Sequence, residues 1–447
     1  MVRITAPSLW LPGFSPEPSE SPALLIEIEP ADSDPVSTDA NDFSGELATE
    51  PARQRSNWRV VTGAAETATR NLWSQLTRAE LRNLGGSVTK FEANLAAIKV
   101  LHQIETEQRP ATPDERSTML RYTGWGGLPV SFNLEAEEAA WAKRARQLSV
   151  LLTPNEYESA RASVNNSHYT EVHVIEAMWQ AVQRFGFSGG RILEPAAGIG
   201  HFVGAMPTAI AEQSSVTAVE IDQLSGRMLQ ALYAPGGVDV RISPFEKTPL
   251  ADNWFDLVIG NVPFGKYQVA DVSNRAYARF SIHNYFFGRA LDLVRPGGLV
   301  CLITTSYTLD AQDDSVRRYL GSQAQLLGAI RLPRGAFAGI ASTEVQTDIL
   351  FLRKRQRSET VEAEWLDITA VPNELRHPLA PPNRYLPINE WYMRHPEFCI
   401  GRIRSESNGY EEVPTVVFGG DLEPALAERH TSAPALRGFC LSSSTYT

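Results

Sequence analysis

The sequence has few cysteines, and their arrangement argues against two common roles. Only Cys301, Cys399 and Cys440 occur in 447 residues, and no two of them form a C-x-x-C pair. Neither a zinc site nor a disulfide framework is indicated, so we predict no metal site. Cys301 lies in the apolar run LVCLITT, where a cysteine most often fills the core.

Long apolar segments are missing as well. The sequence contains no run of about 18 apolar residues, which is the length that a membrane-spanning helix needs. The N-terminus lacks the basic patch and the apolar stretch of a signal peptide. We therefore predict a cytoplasmic protein that does not interact with a membrane.

An excess of positive charge, which is common in proteins that bind nucleic acids, is also lacking. The formal net charge is −11. Residues 1–50 contain ten acidic residues and one basic residue and so contribute −9, whereas the remaining 40 basic and 42 acidic residues contribute −2. Because the body of the chain is nearly neutral, its total charge neither supports nor excludes DNA binding.

Composition and periodicity divide the chain into four parts. Residues 1–55 are rich in Pro, Ser, Asp and Glu and are predicted to be a disordered acidic tail. Residues 56–150 have helical patterns and are predicted to be a helical N-terminal region. Residues 151–355 form the main domain, and residues 356–447 are interpreted as a C-terminal extension or linker.

Two features of the helical region give specific predictions. Thr112 and Pro113 have the positions of an N-cap and a first-turn proline at the start of a helix. The loop TGWGG at residues 123–127 breaks this helix, and we expect it to pack the helical region onto the next domain, with Trp125 in the core.

The main domain alternates helix-like segments with short β-rich runs. The candidate strands are RILEPAA, SVTAVEI, VDVRIS, FDLVIGN, LVCLITT, LLGAIRL and TDILFLRK. Strands that are separated by helices indicate an α/β fold with a largely parallel sheet. The fold class is therefore predicted to be α/β and Rossmann-like.

The first two candidate strands end in residues that are typical of a nucleotide-type site. Glu194 begins the loop EPAAGIGHF, in which Gly198 and Gly200 would allow a ligand to approach the backbone. Glu220 ends the second strand, 22 residues after Gly198, where an acidic residue can accept hydrogen bonds from ribose hydroxyls. This pair of signals fits either a dinucleotide or another cofactor that contains adenosine, such as S-adenosylmethionine.

The fourth strand leads into GNVPFGKY, residues 260–267, which has two interpretations. As a phosphate loop it matches G-x-x-x-x-G-K, but Tyr267 stands where magnesium binding needs Ser or Thr, and Pro263 lacks an N–H. As a catalytic tetrapeptide, Asn261 to Phe264 are similar to the N-P-P-F/Y signature of enzymes that methylate an amine on a base. The second interpretation is favoured.

The chemistry of amine methylation suits these residue types. An exocyclic amine becomes a better nucleophile when acceptors bind its hydrogens, and the Asn261 side-chain oxygen and the Val262 carbonyl could both act as acceptors. Pro263 would stiffen the loop, and the Phe264 ring would stack on an extruded base.

The order of the motifs resembles one family. The segments NSHYTEVHVIEAMW, ILEPAAGIGHF, AVEID, SPFEKTPL and NVPFG follow one another as in amino-directed DNA adenine methyltransferases of the N-P-P-F/Y class. The arrangement is similar to the modification subunits of type I restriction systems. The segments RPATPDERSTMLRYTGWGGLPVSF and WYMRHPEFCIGRI look like the N-terminal part of large methyltransferase–helicase proteins of phages and plasmids.

The resemblance implies a mostly parallel seven-stranded sheet, S-adenosyl-L-methionine as cofactor and DNA as substrate. The cofactor would be bound by Tyr169 and Thr170 at its methionine end, by Glu194, Ala196, Gly198 and Gly200 in the loop, by Glu220 at the ribose, and by Phe245 and Glu246 beside the adenine. The target amine would be presented by Asn261, Val262, Pro263 and Phe264.

Two departures from the family keep alternatives open. Val262 stands where the family has Pro, and the chain contains neither a helicase motif nor an obvious target-recognition domain, so a helicase domain or subunit is a possible partner. The first alternative is methylation of cytosine or of a protein glutamine. The second is a protein with this fold that binds DNA or a partner in a mobile-element defence or counter-defence complex without catalysis. A NAD-dependent dehydrogenase is a weaker third alternative, because no residues resemble its catalytic set.

Overall fold

The structure is a computed structural model that describes residues 76–432, with gaps at 79, 82–83, 165–168, 274, 337–344, 357–358, 360–363, 377–384 and 408–411. The acidic tail predicted at residues 1–55 and Cys440 lie outside the described residues. No helix in the described part of the chain is long and apolar enough to cross a membrane.

The N-terminal part of the described chain is helical. Its helices are α1 (Ser87–Thr106), α2 (Pro113–Leu120), α3 (Ala139–Leu151) and α4 (Pro154–Ser163). Helix α2 starts as predicted, because Thr112 Oγ1 accepts a hydrogen bond from Glu115 N (3.3 Å) and Thr112 N donates to Glu115 Oε2 (2.8 Å). This reciprocal pair satisfies two of the N–H groups that the start of a helix leaves without partners.

The TGWGG loop is fixed from within this region. The buried Asn94 of α1 donates to the Gly124 carbonyl and accepts from Thr123 N at 2.9 Å. Trp125 is fully buried, and its ring meets Phe132 edge to face at a centroid distance of 5.3 Å. The prediction that Trp125 belongs to the core is therefore confirmed.

A seven-stranded sheet follows, and all seven predicted strands are present in it. The strands are β1 (Gly190–Glu194), β2 (Ser214–Glu220), β3 (Asp239–Ile242), β4 (Phe255–Asn261), β5 (Val294–Thr305), β6 (Ala324–Arg331) and β7 (Thr347–Lys354). Their order is β3-β2-β1-β4-β5-β7-β6, and only β7 runs antiparallel to its neighbours. The predicted mostly parallel α/β sheet is confirmed.

The helices of this domain separate the strands along the chain. They are α5 (Val172–Arg184), α6 (His201–Gly204), α7 (Thr208–Ala211), α8 (Gln223–Tyr233), α9 (Ile282–Leu293), α10 (Tyr307–Asp310) and α11 (Ser315–Gln323). The central strands are apolar and buried, as a parallel sheet covered on both faces requires. Cys301 is fully buried in β5, as predicted for a core residue.

The strand order determines where a ligand can bind. Strands β2 and β3 lie on one side of β1, whereas β4, which follows them in sequence, lies on the other side. The loops after β1 and β4 therefore diverge and leave a crevice at the carboxyl ends of these strands. This reversal puts the two predicted motifs, after Glu194 and after Gly260, beside one crevice.

The C-terminal part contains short elements. They are β8 (Ile368–Ala370), β9 (Pro387–Asn389), α12 (Glu390–Arg394), β10 (Arg402–Ser407), β11 (Glu412–Val417) and α13 (Leu422–Ser432). Trp391 Nε1 donates to the Ala329 carbonyl of β6 at 3.2 Å, and Ile400 N donates to the Arg331 carbonyl at 2.9 Å. This segment is thus hydrogen-bonded to the sheet, while the proposed domain boundaries stay predictions.

Candidate active site

A cavity of about 470 Å³ opens at the carboxyl edge of the sheet, between β1 and β4. Most of the predicted site residues line this cavity, namely Tyr169, Thr170, Glu194, Ala196, Gly198, Glu220, Phe245, Glu246, Asn261, Val262 and Pro263. The structure therefore brings these residues together in one cavity, and their individual roles stay predictions.

The loop after β1 has the shape that its glycines allow. Gly198 has φ 56° and Gly200 has φ 86°, both in the left-handed region that favours glycine. A Cβ at Gly198 would lie 3.2 Å from the Tyr169 ring, so a side chain at this position would crowd the wall of the cavity. The backbone of the loop thus stays open to a ligand.

Glu220 connects this loop to the end of β2. Its Oε2 accepts a hydrogen bond from Gly198 N and its Oε1 accepts one from Asp222 N, each at 2.7 Å. Burial, with a further contribution from the charge of Asp222, raises the pKa of Glu220 to about 7. The carboxyl group is therefore held rigidly in place and titrates near neutral pH.

Glu194 is a second buried carboxyl group in the same cavity. Burial, with a further contribution from the charge of Glu220, raises the pKa of Glu194 well above its usual range. Its Oε2 has no hydrogen-bond partner among the described residues. A buried oxygen without a partner is costly, so this position favours a ligand that brings a hydrogen-bond donor or a cation.

Helix α4, which precedes the sheet, contributes part of the wall, and the sequence did not indicate this. Ser159, Ala162 and Ser163 of α4 line the cavity, and Ser159 Oγ donates to Asp222 Oδ1 at 2.6 Å. Asp222 also caps α8 by accepting a hydrogen bond from Ser225 N at 2.8 Å. Small polar residues on a helix have no distinctive pattern, so no sequence signal marked the contribution of α4.

Aromatic and apolar residues form the other walls. The Phe245 ring packs against that of Phe286 at a centroid distance of 4.8 Å. Ile221 lines the cavity and is 65% exposed. In the sequence, Ile221 stands between two acidic residues at the end of a buried strand, and this position is a signal that it borders the cavity.

The tetrapeptide begins where β4 ends. Asn261 pairs with Ile303 of β5, and its Nδ2 donates to Thr170 Oγ1 at 3.1 Å. This hydrogen bond fixes the orientation of the carboxamide and so the position of its Oδ1. Val262 N donates to the Ile303 carbonyl at 3.3 Å, so the N–H that distinguishes Val from Pro continues the strand pairing.

Gly200 and Phe264 are not among the residues that line the cavity. A Cβ at Gly200 would meet Leu229 Cδ1 at 2.6 Å, so this glycine permits close packing against α8. Phe264 is half-buried and packs against the hydrophobic core. Tyr267 lines the cavity instead. In the sequence, Tyr267 argues only against a phosphate loop and gives no sign of this position.

Comparison with known proteins agrees with this geometry. Residues 209–335 match the family model described as Eco57I restriction-modification methylase. The chain is also 30% identical over 267 residues to the defense against restriction protein B of Escherichia phage P1, in an alignment that covers 59% of this chain and 10% of the phage protein. The aligned region thus spans a tenth of that relative.

Solved structures with similar folds include two subunits of type I systems. The methyltransferase subunit of the type I restriction-modification system from Streptococcus thermophilus is 12% identical, with a TM-score of 0.38 over 66% of this chain and 84% of that chain. The type I restriction enzyme EcoKI M protein is 15% identical, with a TM-score of 0.36 over 66% of this chain and 68% of that chain.

The similarity to restriction–modification methylases lies in one segment of the chain. The matched residues include Glu220, Phe245 and the tetrapeptide, whereas the loop after β1 precedes them. The predicted resemblance to methyltransferases of restriction–modification systems is confirmed over this segment. Residues 209–335 are similar to a restriction–modification methylase, and the chain folds as a mostly parallel α/β sheet.

Proposed function

We propose that this protein transfers a methyl group from S-adenosyl-L-methionine to the exocyclic amine of adenine in DNA. The observation that carries the proposal is the position of Asn261. Its carboxamide is fixed by Thr170 at the carboxyl end of β4, in the same cavity as the Gly198 loop and Glu220. A cofactor loop and an oriented amine acceptor thus share one crevice.

The cavity residues fit the proposed cofactor. Glu220 would accept hydrogen bonds from the ribose hydroxyls, and Phe245 and Ile221 would enclose the adenine. The oxygen of Glu194 that has no partner in the described structure suits a cationic amino group, such as that of the methionine end. When bound, the cofactor would supply an electrophilic sulfonium methyl group.

The role of the protein in the reaction is to orient the target amine. The Asn261 Oδ1 would accept one amine hydrogen, and the carbonyl of Val262 would accept the other. Two acceptors shift the nitrogen toward tetrahedral geometry and direct its lone pair at the methyl group. Orientation of this kind contributes much of the rate when no strong base is needed.

DNA is the proposed substrate because the matched family and the phage relative are both described by their role in restriction. We place the reaction in the cytoplasm, on DNA of a mobile element or its host. A helicase domain or subunit is a proposed partner. The phage relative is ten times longer than the aligned region, which leaves room for such domains in proteins of this kind.

The test is the Asn261→Ala variant of the full chain. We expect methyl transfer to unmethylated genomic DNA to fall at least about 100-fold, because an acceptor used in the transition state is lost. Cofactor affinity, measured by calorimetry, should change less than about twofold, because Asn261 is assigned to the target and not to the cofactor. Thr170→Val removes the partner of Asn261 Nδ2 and should cause a smaller loss of methyl transfer, together with any loss of cofactor affinity from the predicted contact of Thr170 with the methionine end.

Two results would contradict the proposal. The parent protein could fail to bind S-adenosyl-L-methionine, or the Asn261→Ala variant could retain the full rate. Mass spectrometry of the products separates the targets, because methyladenine, N4-methylcytosine and methylglutamine differ in mass or in retention.

A second candidate is a protein that binds DNA or a partner without catalysis. It is favoured by the position of Phe264, which packs against the core and does not line the cavity. Cofactor binding without methylation of any DNA or protein substrate would support this candidate.

A further inference from the structure

The loop after the tetrapeptide is fixed at several points. The Gly265 carbonyl lies 3.0 Å from Nδ1 of the buried His283. Ile282 N donates to the Tyr267 carbonyl at 2.8 Å, and Gln268 Nε2 donates to the Arg279 carbonyl at 2.8 Å. The backbone on both sides of Tyr267 is therefore anchored to the start of α9 and to the segment before it.

Gly265 determines where the Tyr267 ring lies. A Cβ added at Gly265 would lie 2.5 Å from Tyr267 Cε1 and 2.7 Å from Cδ1, so the edge of the ring rests directly on the Gly265 backbone. The ring also lines the cavity beside Asn261 and Pro263, and Tyr267 is 47% exposed. An aromatic residue on an anchored backbone thus lines the same cavity as Asn261.

A positive charge and a second exposed aromatic ring lie near Tyr267, on Lys266 and Tyr307. Lys266 Nζ lies 5.7 Å from the centroid of the Tyr307 ring, and Tyr307 is 44% exposed. Tyr307 follows β5, the strand beside β4, so it lies at the same edge of the sheet as Asn261. A cation flanked by aromatic rings suits a nucleotide, whose base stacks and whose phosphate is negative.

We infer that the Tyr267 ring, and not that of Phe264, is the face on which the target base stacks, with Lys266 and Tyr307 contacting the adjoining nucleotide. The inference rests on the proposed function and deepens it, because it assigns the substrate to the nucleic acids. A glutamine side chain has neither a ring to stack nor a phosphate, so it would make little use of these groups.

The experiment measures binding separately from catalysis. A fluorescein-labelled single-stranded DNA oligonucleotide rich in adenine is titrated with the full chain in the presence of S-adenosylhomocysteine, and its anisotropy is recorded. Tyr267→Ala should weaken binding about tenfold, which is typical when one base loses its stacking partner. Tyr267→Phe keeps the ring and should stay within about twofold of the parent.

Two further variants test position and specificity. Gly265→Ala should weaken binding because its Cβ displaces the ring, while Tyr267 itself is unchanged. Val272→Ala is the control, since Val272 is 95% exposed in the same loop and contributes no ring. It should bind as the parent does. Calorimetry should give the same cofactor affinity for all four variants.

Several outcomes would overturn the inference. The first is that Tyr267→Ala binds the oligonucleotide as the parent does, or that Tyr267→Phe loses as much affinity as Tyr267→Ala. The second is that Phe264→Leu loses affinity while Tyr267→Ala does not. The third is that the parent does not bind the oligonucleotide. Competition by a glutamine-rich peptide at the same site would also overturn it. If the expected binding pattern appears but the parent methylates no DNA, the inference stands and the proposed methyl transfer fails.

Discussion

Two groups of buried carboxyl groups in this protein differ in whether a cation of the chain pairs with them. Asp310 and Asp348 surround Arg331, whose side chain is 1% exposed. Arg331 Nε and Nη2 each lie 2.8 Å from an oxygen of Asp348, and Nη1 lies 2.7 Å from Asp310 Oδ2. In the cavity, Glu194, Glu220 and Asp222 form no ion pair with any Lys, Arg or His of the described chain.

The comparison separates a structural cluster from a binding site. In the first group the Arg331 guanidinium pairs with both carboxyl groups, and burial raises the pKa of Asp310, so the cluster is complete without a ligand. In the second group no cation of the described chain pairs with the carboxyl groups. Glu220 accepts hydrogen bonds from two backbone N–H groups, and burial raises the pKa values of Glu194 and Glu220. Buried acids that lack a cation of their own are satisfied further by a ligand that brings donors or positive charge.

The largest expected effect comes from removing the cation of the Arg331 cluster. Arg331→Met leaves Asp310 and Asp348 buried without a counter-charge, which should lower the free energy of unfolding by about 3–5 kcal/mol. Urea unfolding followed by circular dichroism measures the change. Arg318→Met is the control, because Arg318 pairs with Asp314 at the surface, and little change is expected. Equal stability of the two variants would show that Arg331 does not stabilise the protein more than a surface arginine does.

The second prediction concerns Glu220, one of the carboxyl groups in the cavity. Glu220→Gln should lower the affinity for S-adenosylmethionine by about tenfold or more, because the ribose hydroxyls lose a charged acceptor. The same change removes a buried charge that has no cation nearby, so it should destabilise the unliganded protein far less than Arg331→Met. Calorimetry tests the predicted loss of affinity, and urea unfolding tests the predicted stability. Unchanged affinity would remove Glu220 from the cofactor site.

The third prediction is a pH dependence. Since the pKa of Glu220 is raised to about 7, the unliganded carboxyl group is mostly protonated at pH 6 and mostly ionised at pH 8. A ligand that donates hydrogen bonds to the carboxylate prefers the ionised form, so cofactor affinity should rise with pH through 7 and level off above 8. The increase should be up to about tenfold. In Glu220→Gln the contribution of this carboxyl group to the pH dependence of cofactor affinity should disappear. Any pH dependence that remains belongs to other titrating groups.

The smallest effect is expected at the position where the chain departs from the family. Val262→Pro removes the N–H that donates to the Ile303 carbonyl, so the unfolding free energy should fall by about 1 kcal/mol. Val262→Ala keeps the N–H and serves as the matched control for the backbone, although it also trims a buried side chain. A proline variant as stable as the parent would show that this hydrogen bond is dispensable.

The sequence predicted the sheet and the location of the cavity because both depend on local patterns. Apolar runs that end in Glu194, Glu220 and Asn261 mark strands whose carboxyl ends meet at one edge. Contributions from distant segments could not be predicted in the same way. Ser159 reaches Asp222 only because α4 packs beside α8, and the packing of Phe264 depends on neighbours that are remote in sequence.

The contact between α4 and Asp222 means that the helix before the sheet and the sheet itself both form the cavity. A molecule that fills the cavity would contact α4 through Ser159 and Ser163 and the sheet through Glu220. By mass action, occupancy must then favour the docked arrangement over any partly open one. A fragment trimmed to the strands and their connecting helices would retain the tetrapeptide but would lose one wall of the compartment that it serves.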